Sequence, residues 1–200
     1  MVHWGRNLPF FGSIKAITHN AVNPNATVDP MTVNGLQQLH DFWNALTDTT
    51  VLVWQPADGV GHAAMLIGSS AGRGINSTDY YVSWFPAVQP TASLVLPGEM
   101  VVGAAHGFYA DCEAEGNGQA RLPEYFRTIP GLNTVHMLAA WERIKTKQGA
   151  HYRVMRKNCS TIVARVLRAG LTGWQHFLAL RAAHKLWWTP YDVQVFADNI

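Results

Sequence analysis

A cysteine at a helix start and a histidine at the head of a strand are the two residues of this chain whose types and settings could combine into nucleophilic chemistry. The cysteine opens the stretch Asn158-Cys-Ser-Thr-Ile-Val-Ala-Arg-Val-Leu-Arg-Ala-Gly170. At the first position of a helix, a thiol meets uncommitted backbone N–H groups and the positive end of the helix dipole, and both favour the thiolate, which is the nucleophile. Asn158 is a suitable N-cap, Val163, Val166 and Leu167 carry an apolar face at helical spacing, and Gly170 falls where a left-handed C-cap is expected.

The histidine lies far upstream, in Val51-Leu-Val-Trp-Gln-Pro-Ala-Asp-Gly-Val-Gly-His62-Ala-Ala-Met-Leu-Ile-Gly68. Asp58-Gly59 and Gly68 punctuate runs rich in Val, Ile and Trp, so His62 is expected to head a strand. A nucleophilic cysteine needs a base brought close by the fold rather than by sequence, and a strand-borne His supplies one. Taken singly, each residue has a plainer reading: free Cys is among the most buried residue types, and most histidines are structural. Cys112 offers a contrast. Asp111 and Glu113 flank it with carboxylates that disfavour a thiolate, so it reads as structural.

The elements that must position these residues follow from periodicity and punctuation. Residues 1–33 mix Pro, Asn, Gly and Thr and read as an irregular N-terminal arm; residues 34–200 read as a single domain. Leu36, Leu39, Phe42, Trp43 and Leu46 predict a helix over 34–46. Tyr80-Tyr-Val-Ser-Trp-Phe-Pro86 predicts a further strand. Residues 87–130 are broken by Pro90, Pro97, Pro123 and Pro130, leaving Met100 to Ala104 and Gly107 to Ala110 as short strands. From Asn133 a helix returns, with Leu132, Val135, Leu138, Trp141 and Ile144 on one face and Lys145 and Lys147 near its end. Tyr152 to Met155 is a brief extended run, and Trp174 to Leu186 a helix. Thr189-Pro190-Tyr191-Asp192 has the pattern of a capped helix start, so Asp192 reads as a cap rather than a catalytic acid.

Composition bounds the function. A 200-residue chain with 48% hydrophobic and 14% charged residues can bury one sizeable core. A net charge of +2, with Lys and Arg read as scattered, argues against nucleic acid as a partner. Nine histidines form no His-Glu-x-x-His or local ligand pair, so no metal or other cofactor is expected. No nucleophile elbow or phosphate-cradling loop is present. Trp84-Phe85 and Trp187-Trp188 would line a groove for sugars or acyl chains, or fill the core. The N-terminus lacks a secretory-signal pattern, and two cysteines make no disulfide framework; the expectation is cytoplasmic synthesis, with export by another machine.

The order Gly-His-Ala-Ala-Met-Leu, then Tyr-Val-Ser-Trp-Phe-Pro, then Asn-Cys-Ser with an apolar helix resembles circularly permuted NlpC-type papain-like hydrolases, over residues 50–198. The variant with these motifs is similar to effectors of bacterial type VI secretion systems. The resemblance implies an α+β fold in which an antiparallel sheet packs against the Cys-bearing helix, with Cys159 as nucleophile and His62 as general base and acid. It points to Ser83 as the polar residue that orients the imidazole, with Asn76 or Asp79 as substitutes. It implies cleavage of an amide, first of all a peptide bond in peptidoglycan in a rival's periplasm, together with an immunity protein and a secretion-machinery adaptor as partners. Relatives similar to lecithin retinol acyltransferase also run from His to Asn-Cys. A lipid or thioester acyl hydrolase or acyltransferase is therefore the second reading, and a non-enzymatic toxin or adaptor-binding module the third.

Overall fold

Strands β2 (Thr50–Trp54) and β3 (His62–Leu66) form the centre of a four-stranded antiparallel sheet, flanked by β4 (Tyr81–Val82) and β8 (Tyr125–Thr128) in the order β4-β3-β2-β8. The computed structural model describes residues 27–28, 33–56, 61–87, 101–116, 119–148, 150–152, 157–182, 185 and 187–200. Most of the expected N-terminal arm, the Asp58-Gly59 turn, Pro90, Pro97, Met100 and residues 153–156 lie outside these. The strands are buried on both faces, which is why they read as near-continuous apolar runs. Alternation sorts their side chains: Val51, Val53, Ala63 and Met65 enter one core cluster, Leu52, Trp54, Ala64 and Leu66 the other.

The first face is covered by helices α3 (Thr134–Lys145), α4 (Cys159–Gly170) and α6 (Pro190–Asp198), through Trp141, Ile162, Val163, Val166, Leu167, Val193 and Phe196. The second is covered by α1 (Val33–Asn44) and α2 (Phe108–Glu115), through Leu39, Phe42, Trp43, Phe108 and Cys112. A second antiparallel sheet joins β5 (Trp84–Pro86), β6 (Val101–Ala105) and β9 (His151–Tyr152). Thr27 and Val28 form β1, antiparallel to β7 (Ala120–Arg121), so the arm contributes a paired strand where an irregular segment is expected. With α5 (Trp174–Ala182), six helices stand among the described residues, and the fold is a mixed α+β architecture with antiparallel sheets.

Several local expectations change. Gly107 to Ala110 is not a strand: Gly107 is the extended N-cap of α2, so the chain turns helical where its short apolar run suggests β. Val135 points out, 71% exposed, while Met137 is buried beside Trp141, so the inner face of α3 is rotated from the expected stripe. Gly170 does not adopt a left-handed conformation. It is the last residue of α4, and a Cβ there would stand 2.3 Å from Met137 Sδ, so the glycine permits close approach of α3 and α4. Thr189 and Asp192 form the expected capping box of α6.

Candidate active site

Asn158 places the cysteine. Its side-chain oxygen accepts the Thr161 N–H and hydroxyl, both at 2.8 Å, and its amide donates to the Trp188 carbonyl at 2.9 Å. These bonds cap α4 and tie its first turn to the chain ahead of α6. Cys159 is the first residue of the helix and 6% exposed. The cap consumes the Thr161 N–H and leaves the backbone N–H groups of Cys159 and Ser160 outside it. The Ser160 hydroxyl lies 3.8 Å from the sulfur.

His62 is placed by the start of β3. Its predecessor Gly61 has φ of +69°, and a Cβ there would sit 2.6 Å from the Trp54 carbonyl oxygen, so the turn that delivers the histidine needs glycine on two counts. The imidazole is 1% exposed and packs against the rings of Phe85 and Trp54, at centroid distances of 4.3 and 5.5 Å. The Cys159 sulfur lies near enough to the imidazole and to the Ala63 N–H for each to act on its charge. The structure thus brings Cys159 and His62 together at the end of the sheet where α4 begins.

The other side of the imidazole meets a buried polar network. His62 Nε2 lies 3.2 Å from Ser83 Oγ and 3.2 Å from Asp111 Oδ2. Ser83 donates its hydroxyl proton to Asp111 Oδ1 at 2.9 Å, so toward the histidine its oxygen is an acceptor. Nε2 therefore carries a proton shared between Ser83 and Asp111, and Nδ1 is the nitrogen left for the sulfur. The Tyr81 hydroxyl donates to Asp111 Oδ2 at 2.8 Å. Asp111 is fully buried, yet three side chains hydrogen-bond it, and His106 Nδ1 lies 3.8 Å from its Oδ1.

Electrostatics follow this geometry. Burial opposes charge on His62, but the Asp111 carboxylate and the Cys159 sulfur overcome it and hold the imidazole well above its usual range. Burial likewise opposes the Cys159 thiolate, and the His62 charge and hydrogen bond, with the Ala63 N–H and Ser160, pull the thiol below its usual value. Both shifts favour the thiolate–imidazolium form of the pair. Cys112 behaves oppositely: burial and the carboxylates of Asp111, Glu113 and Glu115 push its thiol well up.

Ser83 touches the imidazole as expected, but it stands between His62 and a carboxylate that sequence reasoning passed over. In the sequence Asp111 shows only as a carboxylate beside Cys112, unfavourable to a thiolate there. The signal for it was the spacing Phe108, Asp111, Cys112, which sets an acid at i+3 and beside i+4 on the buried face of a helix. Asp79 is an exposed partner of Lys145 at 3.3 Å, outside the cluster. The Asn76 backbone lies against Gly107, the residue before α2. The aromatic pairs divide: Trp84 and Trp188 fill the core, Phe85 lies on His62, and Trp187 is 48% exposed.

Residues 103–200 match the family model described as the IcsB middle domain, a stretch that includes Asp111 and Cys159 but not His62. Among curated proteins, the chain is similar to a multifunctional-autoprocessing repeats-in-toxin of Vibrio vulnificus, 39% identical over 61 residues, and to one of Vibrio cholerae serotype O1, 42% identical over 53 residues. The matches cover 30% and 26% of this chain, which spans only 1% of the length of either relative. No solved structure matches.

Proposed function

We propose that this chain is a cysteine acyl-transfer enzyme acting as a toxin effector, and the observation that carries this reading is the buried Cys159-His62-Asp111 array with Ser83 and Tyr81 on its carboxylate. The similarity to bacterial toxins supports the effector part. In this mechanism the Cys159 thiolate attacks a carbonyl carbon, and the carbonyl π electrons move onto oxygen. The backbone N–H groups of Cys159 and Ser160, at the positive end of α4, are the donors available to that oxyanion. His62 protonates the departing nitrogen, oxygen or sulfur from Nδ1. Asp111 and Ser83 keep the proton on Nε2 and hold the ring plane. Water, or an acceptor nucleophile, then enters with His62 as base and releases the acyl group.

Two substrate classes suit this chemistry. The family resemblance favours a peptide bond of peptidoglycan, with an immunity protein, an adaptor and type VI delivery as the biological setting. One observation favours the lipid or thioester acyl class instead. Cys159 and His62 are 6% and 1% exposed, with Phe85 against the imidazole. A flexible acyl chain threads to such a nucleophile more readily than a branched glycan polymer. The test is intact-protein mass spectrometry after brief exposure to muropeptides, to peptide amides and to acyl thioesters, beside wild type the Cys159→Ala variant. An acyl mass on Cys159 identifies the donor class. Failure of all three classes to acylate a thiol that iodoacetamide labels rapidly would overturn the enzyme reading and favour a non-enzymatic toxin or adaptor-binding module.

A further inference from the structure

The cations of this chain are not spread evenly, contrary to the expectation drawn from its net charge. Ten of the fifteen Lys and Arg residues fall between positions 143 and 191, and none of the thirteen Asp and Glu does. Cys159 lies about a third of the way into this acid-free stretch. Within it, Lys145 pairs with Asp79 and Glu142, and Lys185 with Asp192, all acids from outside. Lys147, Lys157 and Arg165 form no ion pair among the described residues. They crowd one another: burial, then the Lys147 and Arg165 charges, hold the Lys157 ammonium below the usual lysine range. Lys157 Nζ sits 5.6 Å from the Trp84 ring centroid, and the Arg168 guanidinium 5.5 Å from that of Trp188.

The same stretch carries large aromatic residues at exposed positions. Trp174 is 71% exposed, Phe177 54% and Trp187 48%. Trp174 and Phe177 lie one turn apart at the start of α5, with only three residues between it and the end of α4, and stack at 5.2 Å with an interplanar angle of 27°. A solvated surface gains nothing from holding large rings in water, and a purely electrostatic surface has no use for them. Cations that lack acids, together with Trp and Phe at the surface, are what the headgroup region of an anionic bilayer accommodates: phosphates for the charges, the acyl boundary for the rings. Nucleic acid is the competing class for cations set beside rings, and it is one arm of the test below. No helix among the described residues is long and apolar enough to cross a membrane, so the contact is one of lying on the surface.

We propose that the α4–α5 region, with Lys147, Lys157, Arg165, Trp174, Phe177 and Trp187, docks onto an anionic lipid bilayer and so presents the Cys159 site at the membrane surface. The docking does not depend on which acyl bond the site acts on. It is tested by co-sedimentation of the full chain with phosphatidylcholine vesicles and with vesicles in which about a quarter of the lipid is phosphatidylglycerol, at low and high salt. The expected result is binding to the anionic vesicles that weakens with salt and is absent with the neutral ones. The Lys147→Gln, Lys157→Gln, Arg165→Gln triple variant is expected to lose about a hundredfold in affinity, at roughly a factor of five or more per cation. The Trp174→Ser, Phe177→Ser double variant, all of whose changes are at exposed positions, is expected to bind weakly even at low salt. Unaltered iodoacetamide labelling of Cys159 certifies the fold of both, independently of any hydrolytic activity. Equal binding to neutral and anionic vesicles, wild-type affinity in the triple variant, no vesicle binding at all, or retention by duplex DNA in place of vesicles would each overturn the proposal.

Discussion

The Tyr81 hydroxyl donates to Asp111 Oδ2 at 2.8 Å, joining β4 to α2 across a carboxylate that no solvent reaches. The same oxygen faces His62 Nε2 at 3.2 Å. A phenol that shares the carboxylate with the imidazole fixes where the negative charge can sit, and with it the ring orientation. Four expectations follow from this cluster and its supports.

Asp111→Asn keeps the shape of the carboxylate but removes its charge and gives it an N–H₂ group to turn toward Nε2, which then favours the wrong tautomer. The acylation rate of Cys159 is expected to fall by about 10²- to 10⁴-fold, with the fold retained. Single-turnover measurements and circular dichroism on the same sample check both parts. An unchanged rate would remove Asp111 from the mechanism.

Ser83→Ala deletes one acceptor of the Nε2 proton and one donor to Asp111 Oδ1, but the Asp111 contact to His62 survives. The loss is expected to be smaller, near tenfold, which corresponds to about 1.4 kcal/mol and one ordinary hydrogen bond. A Ser83→Ala defect as large as that of Asp111→Asn would make the serine the principal orienting group.

The pH dependence follows from opposite shifts. The Cys159 thiol is lowered, so what its thiolate contributes to stability is present above the unfolded thiol value and lost as pH falls through the folded one. The His62 imidazole is raised, so its contribution is complete below the unfolded value of about 6.5 and lost as pH rises through the folded one. Between the two folded values both charges coexist. Iodoacetamide should label Cys159 there while Cys112, whose thiol is raised, stays inert. His62→Ala should move the labelling midpoint of Cys159 to higher pH. Faster modification of Cys112 in the folded protein would reverse the assignment of the two cysteines.

Gly61→Ala introduces a Cβ 2.6 Å from the Trp54 carbonyl oxygen at a residue with φ of +69°. Forcing an L side chain into that turn should cost roughly 1–3 kcal/mol and displace the adjacent His62. Thermal unfolding checks the first effect and Cys159 labelling at neutral pH the second. A substitution tolerated in both assays would mean that the turn does not position the histidine.

What could be read from the sequence was what one segment carries within itself. The Asn158 cap, the helix behind Cys159, the strand headed by His62 and the capping box of Thr189 and Asp192 each depend on residues within a few positions of one another. Asp111 depends on a pairing across 49 residues, through a region full of prolines, and its identity as a buried acid exists only once α2 lies against the sheet. Gly170 misled for a related reason. Its position after an apolar helix is that of a C-cap, but the need for glycine comes from Met137 on another helix. Local chemistry is written in neighbours, whereas close approach and buried charge are written in the fold.

The groups around the sulfur are drawn from both sides of the segment between β5 and β6. His62, Tyr81 and Ser83 precede it; Asp111, Asn158 and Cys159 follow it. Neither half of the polypeptide holds a complete set, and the nucleophile's counter-ion comes from the opposite half. A chain lacking either half would therefore lose the pairing that lowers the Cys159 thiol. The array exists only where both halves fold against each other, so severing or withholding either half parts the thiol from its counter-ion without touching the cysteine.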